Sequence, residues 1–133
     1  MKKLSLKASC LCGGVKLRTQ GYHRNVQNCH CIQCMKPHGH HAAYTNVEER
    51  NVKFFKKKSL KWFISSKRAK RGFCNKCGAS LFFKLIGTKN ISIAAGVFNR
   101  PTRLKTTMNI FVKGKAEYYK LDIRMSKFNR YPK

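Results

Sequence analysis

The sequence predicts a mainly β fold that forms a single domain. Short runs of β-type residues dominate the chain, glycine and proline separate most of them, and no helical periodicity of useful length occurs. A chain of 133 residues can bury one hydrophobic core on folding but is too short for two. We therefore expect one domain over residues 1–133, with its core at about residues 4–125.

The predicted strands are short runs rich in β-branched, aromatic or other apolar residues. In chain order they cover residues 3–8, 15–19, 26–30, 41–45, 52–55, 60–64, 81–85 and 107–112. Two helical candidates, a turn after Cys31 and a stretch at residues 47–50, are too brief to organise the domain.

The composition indicates a globular protein with a strongly positive surface. Hydrophobic residues make up 42% of the chain, whereas 30 lysines and arginines against four acidic residues give a formal charge of +26. Such a charge attracts nucleic acid, anionic membranes, acidic proteins or small anionic substrates, and a lysine-biased source proteome would explain it equally well. Composition does not choose among these partners.

The sequence predicts a cytoplasmic protein without a membrane span. Lys7 interrupts the only leader-like segment, and no apolar run approaches the ~20 residues that span a bilayer. Seven cysteines, grouped as two pairs and a triplet, favour metal binding in a reducing compartment over disulfides.

The two cysteine pairs each form half of a zinc site. In Cys74-x-x-Cys77-Gly78 a tight turn brings two sulfurs together, and the glycine tolerates positive φ. In Cys10-x-Cys12 an extended backbone places both side chains on one face. Together the pairs would make a closed, tetrahedral four-cysteine site that joins distant parts of the chain.

The triplet Cys29-x-Cys31-x-x-Cys34 predicts a second site with an open coordination position. His30 lies between the first two cysteines and should point away from them, because side chains alternate along a strand. An open position admits water, a thiol or a carbonyl, as in catalytic zinc sites.

Other interpretations of the cysteines stay open. The site at the triplet would be closed if one of the histidines of the following segment, His38, His40 or His41, were a fourth ligand. Alternatively the three thiols are reduced and hold no metal, or one cysteine of a pair joins the triplet. In a purely structural protein, both metals would only stabilise the fold.

Basic and aromatic residues interleave at 53–58, 61–63 and 67–71. One hypothesis is a nucleic-acid or acidic-surface binding module, in which lysines meet phosphates while Phe55 or Trp62 stacks on bases. In the competing interpretation the aromatic residues belong to the core and the lysines form the solvated face of alternating strands.

The motifs together resemble a known family. They are Cys10-Leu11-Cys12-Gly13-Gly14-Val15, Cys29-His30-Cys31-x-x-Cys34, Arg71-Gly72-Phe73-Cys74-x-x-Cys77-Gly78-x-x-Leu81 and Asn109-Ile110-Phe111-Val112. This order and spacing resembles the glutathione-dependent formaldehyde-activating enzyme (GFA) family, also called the CENP-V/GFA domain, from about residue 4 to residue 132. The resemblance implies a β-tent fold of packed antiparallel sheets stapled by zinc.

The resemblance also implies a zinc-dependent carbon–sulfur lyase, an S-(hydroxymethyl)glutathione synthase that joins glutathione to formaldehyde or carries the adduct. The structural zinc would be held by Cys10, Cys12, Cys74 and Cys77, and a second, exchangeable zinc at the catalytic site by Cys29, Cys31 and Cys34. Glutathione, the co-substrate, is an anion, so Lys36, Lys70 and Arg71 are candidate contacts for its carboxylates.

The chain departs from the family pattern in two places. Family members commonly have Arg or Lys directly after the triplet, whereas this chain has Met35-Lys36-Pro37-His38-Gly39. Asn109 stands where the family usually has histidine. Neither departure removes a cysteine. Both bear on substrate choice and on acid–base chemistry.

Overall fold

A computed structural model describes residues 1–132 and has a mainly β fold, as the sequence predicts. Its strands are β1 (Lys2–Ser9), β2 (Lys16–His23), β3 (Val26–Cys29), β4 (Ala42–Glu48), β5 (Val52–Lys56), β6 (Leu60–Ile64), β7 (Ala69–Cys74), β8 (Ser80–Leu85), β9 (Asn90–Ala94), β10 (Thr106–Ile110) and β11 (Ser126–Lys127). One α-helix, α1 (Ile32–His38), follows β3, and single 3₁₀ turns occur at Glu49–Asn51, Ala95–Val97 and Val112–Gly114.

The strands form two sheets. Strands β1, β2 and β5 make a three-stranded antiparallel sheet in the order β1-β2-β5. The other strands make an eight-stranded sheet in the order β11-β10-β3-β4-β9-β8-β7-β6. Its pairings are antiparallel except at β10, which runs parallel to both β3 and β11.

All eight predicted strands are present, but three further strands lack a clear sequence signal. Strand β7 contains Lys70, Arg71 and Gly72, a composition that strands usually avoid. Strand β9 is short, and β11 has only two residues. Tertiary pairing stabilises these segments, since β7 lies between β6 and β8, and β9 lies between β4 and β8.

The main core lies between the two sheets. Leu6 and Leu17 of the small sheet pack with Leu81, Phe82 and Ile93 of the large sheet, and each of these side chains is buried. Apolar burial of this kind supplies most of the driving force for folding.

The opposite face of the large sheet carries a second buried cluster. Cys29, Tyr44 and Ile110 belong to it, and Phe83 packs against it. Side chains alternate between the two faces of a strand, so neighbouring positions such as Phe82 and Phe83 serve different clusters.

The basic and aromatic segment is divided between core and surface. Phe54 and Trp62 pack against the main core, whereas Phe55 is 53% exposed and Phe63 is 43% exposed. The core interpretation therefore holds for Phe54 and Trp62, while the rings of Phe55 and Phe63 lie partly on the surface. No helix within residues 1–132 has the length and apolar character needed to cross a bilayer.

A substitution at Gly72 tests the packing between β7 and the core. A Cβ atom there would lie 2.9 Å from the Phe82 ring and 3.2 Å from the Trp62 ring, which stack on each other. Phe82 is 1% exposed and belongs to the main core, so a shift of its ring would disturb the packing of its neighbours. We expect Gly72→Ala to lower the free energy of unfolding by about 1–3 kcal/mol, measured by urea denaturation.

Gly96→Ala is the matched control, because a Cβ atom at Gly96 would meet no heavy atom within 4 Å. Its unfolding free energy should stay within about 0.5 kcal/mol of the parent protein. Equal effects of the two substitutions would contradict the close approach at Gly72.

Candidate functional site

The cysteine pairs converge where the two sheets meet. Cys10 and Cys12 lie in the turn after β1, Cys74 ends β7 and Cys77 follows in the next turn. Their four sulfurs all lie within 4.8 Å of one another. We call this group the four-cysteine cluster.

The spacing of these sulfurs fits a tetrahedral metal. Four thiolates at the usual Zn–S distance of about 2.3 Å are separated from one another by about 3.8 Å. The Cys10 and Cys12 sulfurs are 3.7 Å apart, and those of Cys12 and Cys74 are 3.6 Å apart. The donor set and the geometry of this cluster therefore suit zinc.

Backbone N–H groups point at these sulfurs. Gly14 donates to Cys12 at 3.4 Å and Val15 to Cys10 at 3.3 Å. Burial acts to raise the pKa of Cys74, but donation from the Cys77 N–H and the Ser59 hydroxyl outweighs it and lowers that pKa to about 5. A thiolate, the form that binds metal, is favoured at this position.

The triplet forms a second group, the three-cysteine cluster. Cys29 ends β3, Cys31 precedes α1 and Cys34 lies in its first turn. The Cys31 carbonyl accepts hydrogen bonds from the N–H groups of Cys34 at 3.0 Å and Met35 at 2.9 Å, so the helix begins there and brings Cys34 round. The three sulfurs lie within 4.8 Å of one another, and those of Cys29 and Cys31 are 3.6 Å apart.

Within residues 1–132, no histidine joins the three-cysteine cluster. His38 is hydrogen-bonded through Nε2 to the Tyr44 hydroxyl at 2.7 Å, and His40 pairs with the Tyr118 hydroxyl. The arrangement leaves three sulfur donors and room for a fourth ligand, as in open zinc sites.

His30 points away from the sulfurs into a buried polar pocket. Its Nε2 lies 2.7 Å from Oδ1 of Asn109, which accepts only, so Nε2 carries the hydrogen and Nδ1 accepts from the Tyr119 hydroxyl at 2.5 Å. Asn109, the residue that departs from the family pattern, therefore fixes the tautomer of His30.

Arg71 brings a buried positive charge to the three-cysteine cluster. It is 4% exposed, its Nη2 donates to the Cys34 sulfur at 3.5 Å and its Nη1 donates to the Tyr44 hydroxyl at 3.3 Å. Its Nε–H is buried and has no hydrogen-bond partner within residues 1–132. Burial alone would lower the pKa of Arg71, but the Cys34 sulfur raises it.

The three thiols do not ionise equally. Hydrogen bonds from the thiols of Cys29 and Cys34 hold the pKa of Cys31 well below its ordinary value, and the charge of Arg71 acts in the same direction. The hydrogen bond to Cys31 raises the pKa of Cys29. Cys31, which is half-buried, is the thiol most readily ionised.

A cavity of about 540 Å³ opens beside the three-cysteine cluster. Its lining includes the three sulfurs, three arginines and several aromatic rings: Cys29, Cys31, Cys34, Arg24, Arg68, Arg71, Tyr44, Phe83, Phe111 and Tyr131. This volume is in the range of small-molecule sites, and its cations suit an anionic ligand.

Of the three predicted anion contacts, only Arg71 lines this cavity. Lys36 is exposed on α1, outside the lining. Lys70 lies on the other face of β7, with its Nζ 4.5 Å from the centre of the Trp62 ring, because neighbouring strand residues point in opposite directions.

Sequence reasoning missed Arg24 and Arg68. Arg24 lies between β2 and β3, where its Nη2 donates to the Tyr44 carbonyl at 3.0 Å, and burial lowers its pKa to about 10. Arg68 lies just before β7. Among 30 lysines and arginines, nothing in the sequence distinguishes these two.

Comparison with known proteins gives one family match and a structural likeness. The family described as glutathione-dependent formaldehyde-activating enzyme matches residues 5–114. A crystal structure of a Rhodobacter sphaeroides protein is similar, with a TM-score of 0.59 and 17% identity over 76% of this chain and 99% of that one. At this identity the likeness shows the fold alone. No curated protein matches the chain significantly.

Replacing Arg71 tests its effect on the thiols. Without the guanidinium, the pKa values of Cys31 and Cys34 should rise, because a nearby cation favours the thiolate. In chelator-treated protein, we expect Arg71→Met to move the midpoint of the pH profile of iodoacetamide alkylation upward by about one pH unit.

Lys70→Met is the matched control, since Lys70 is the neighbouring cation but faces the other side of β7. Its alkylation profile should follow that of the parent protein. The same shift in both variants would show that general surface charge, rather than the contact from Arg71, controls these thiols.

Proposed function

The chain belongs to the family of glutathione-dependent formaldehyde-activating enzymes, and from that membership we propose that it joins the glutathione thiol to formaldehyde at the three-cysteine cluster. The observation that carries this proposal is the cluster itself, three sulfurs beside a buried arginine and an open cavity. The activity would be that of a carbon–sulfur lyase working in the direction of synthesis.

We assign different roles to the two cysteine clusters. The four-cysteine cluster has a complete donor set and would hold a structural zinc. The three-cysteine cluster would hold a second, exchangeable zinc through Cys29, Cys31 and Cys34. Zinc at such an open position supplies Lewis acidity and favours the thiolate form of a thiol ligand.

The residues around the cavity suit the addition reaction. The glutathione thiol first loses its proton to solvent. The thiolate then attacks the formaldehyde carbon, the carbonyl π bond breaks toward oxygen, and that oxygen takes a proton from solvent to give the hydroxymethyl group. Arg71 would stabilise the thiolate before attack. The unpartnered Nε–H of Arg71 is a further donor for a ligand oxygen.

Tyr44 is the candidate donor to the developing oxyanion. Tyr44 lines the cavity, and its hydroxyl is hydrogen-bonded to His38 at 2.7 Å and to Arg71 at 3.3 Å. Burial raises the pKa of Tyr44, so the hydroxyl keeps its proton at neutral pH and can donate a hydrogen bond. Burial lowers the pKa of His38 to about 4, so His38 remains neutral beside it.

The glutathione carboxylates would meet arginine rather than lysine. Arg24 and Arg68 line the cavity, whereas Lys36 and Lys70 do not. Arginine binds carboxylates through two parallel hydrogen bonds, which orients a ligand more strictly than a lysine does.

Zinc stoichiometry tests the division between the clusters. Elemental analysis of fresh protein should give about two zinc ions per chain, falling toward one after dialysis against millimolar glutathione, because only the open position accepts a competing thiol. Cys31→Ser should abolish this loss. Zinc that resists glutathione completely would contradict an exchangeable site.

Addition of thiols to formaldehyde also proceeds without an enzyme, so a carrier must be distinguished from a catalyst. Exchange NMR on mixtures of glutathione and formaldehyde measures the rate of adduct formation directly. A catalyst raises the exchange rate in proportion to protein concentration. A carrier binds the adduct and leaves that rate unchanged.

A substitution at Arg68 tests the carboxylate contact. We expect Arg68→Gln to weaken glutathione binding roughly tenfold, since a hydrogen bond to a charged group contributes about 1.5 kcal/mol. Affinity for 2-mercaptoethanol, which lacks carboxylates, should not change. Calorimetric titration of both thiols checks this.

Lys36→Gln removes a charge outside the cavity lining and should leave both affinities unchanged. A loss of affinity for glutathione in Lys36→Gln that equals the loss in Arg68→Gln would indicate attraction by overall charge. In that case the arginines would not bind the carboxylates specifically.

A further inference from the structure

The three-stranded sheet has one face in the core and one face open to solvent. Leu6, Leu17 and Phe54 point inward to the main core. Because side chains alternate along a strand, the residues next to these on each strand point outward. We define the outer face by six of these residues, namely Lys3, Lys7, Lys16, Arg18, Lys53 and Phe55.

Cations lie directly opposite one another across this face. In the strand register Lys7 pairs with Arg18, and Arg18 pairs with Lys53. Lys16 likewise pairs with Lys56 at the end of β5. Like charges placed directly opposite in a sheet destabilise the pairing. A bound anion would remove this repulsion.

No acidic residue belongs to β1, β2 or β5. Three of the four acidic residues of the chain are already in ion pairs, namely Glu48 with Arg50, Glu49 with Lys84 and Asp122 with Arg124. The positive charge of Lys7, Arg18 and Lys53 therefore lacks a carboxylate partner within residues 1–132.

An exposed aromatic ring lies among these cations. Phe55 is 53% exposed. The Arg18 guanidinium lies 5.8 Å from the centre of its ring, and the Lys53 ammonium lies 5.7 Å from it. Tyr22, opposite Lys3 in the register, is 61% exposed. A groove of about 580 Å³ adjoins this face: Lys3, Arg18 and Lys53 line it, and Lys7 and Phe55 lie outside its lining.

We propose that the outer face binds single-stranded nucleic acid, with phosphates along the row of Lys7, Arg18 and Lys53 and a base stacked on Phe55. Proteins that bind single strands without sequence preference combine a basic groove with exposed aromatic rings on a sheet. A duplex keeps its bases stacked internally, so it would use the cations alone and leave Phe55 without a role.

This binding surface is separate from the three-cysteine cluster. The groove on the outer face shares no lining residue with the cavity beside the cluster. Nucleic-acid binding and glutathione binding are therefore expected to be independent, and either can fail without affecting the other.

Fluorescence anisotropy with the full-length, metal-containing protein tests the proposal. The probes are a labelled oligothymidylate of about 12 nucleotides, the duplex of the same length, and anionic vesicles containing phosphatidylserine. We expect the single strand to bind most tightly. Its affinity should fall with salt at a slope near −2 on logarithmic axes, as about three phosphate contacts predict.

Variants distinguish stacking from charge. Phe55→Ala should weaken single-strand binding at least about fivefold and leave duplex binding unchanged. Arg18→Gln with Lys53→Gln should reduce the salt slope by roughly 1.4. The matched controls are Phe63→Ala, an exposed ring on β6 of the other sheet, and Lys113→Gln, an exposed lysine outside the outer face. Both should bind like the parent protein.

Each of three results would overturn the proposal. If duplex or vesicles bind as tightly as the single strand, or if Phe55→Ala has no effect, the outer face is only a general polyanion surface. If Lys113→Gln reduces the slope as much as a substitution at Arg18 does, the binding is not localised on this sheet. Urea unfolding of each variant shows that a loss of binding is not a loss of folding.

Discussion

The convergence of the four cysteine sulfurs brings the small sheet and the large sheet together at one point. Cys12 and Cys74 are 62 positions apart in the chain, and their sulfurs lie 3.6 Å from each other. This contact joins the turn after β1 to the end of β7, and so fixes the small sheet against the large one. Leu6 and Leu17 can then pack on Leu81 and Phe82. A metal ion bound by these sulfurs would add to the stability of a domain of this size.

Strand β7 connects that link to the proposed chemistry. Its even-numbered residues Gly72 and Cys74 face the main core and the four-cysteine cluster, while Arg71 faces the three-cysteine cluster. Packing that tightens the core around Gly72 therefore also holds the guanidinium 3.5 Å from the Cys34 sulfur. The alternation of a single strand places Cys74 of the four-cysteine cluster and the buried charge of Arg71 on opposite faces of one sheet.

The positively charged side chains lie in two different environments, the cavity and the outer face of the small sheet. In the lining of the cavity, Arg71 is buried and Arg24 is half-buried beside sulfurs and aromatic rings, where the low dielectric makes each charge effective. On the outer face, cations stand opposite one another in solvent, where water and salt screen them. The first setting suits a small anion with defined carboxylates. The second suits an extended polyanion, because several weak contacts act together.

Local spacing and alternation along a strand are enough to predict the mainly β fold, the division of the seven cysteines into two pairs and a triplet, and the direction of His30. Which cysteines share a site follows from the tertiary structure, which brings the two pairs together and keeps the triplet separate. Only the tertiary structure decided which cations face the cavity. Arg71 and Lys70 are neighbours in sequence and lie on opposite faces of β7, while Arg24 reaches the cavity from a distant connection. Pairing with neighbouring strands also makes strands of β7 and β9, whose own sequences do not predict them. The same packing places Phe54 against the core and Phe55 on the surface. Burial and strand pairing depend on residues far apart in the chain. The local sequence around a lysine or arginine therefore does not distinguish a cation in the cavity from one on the surface.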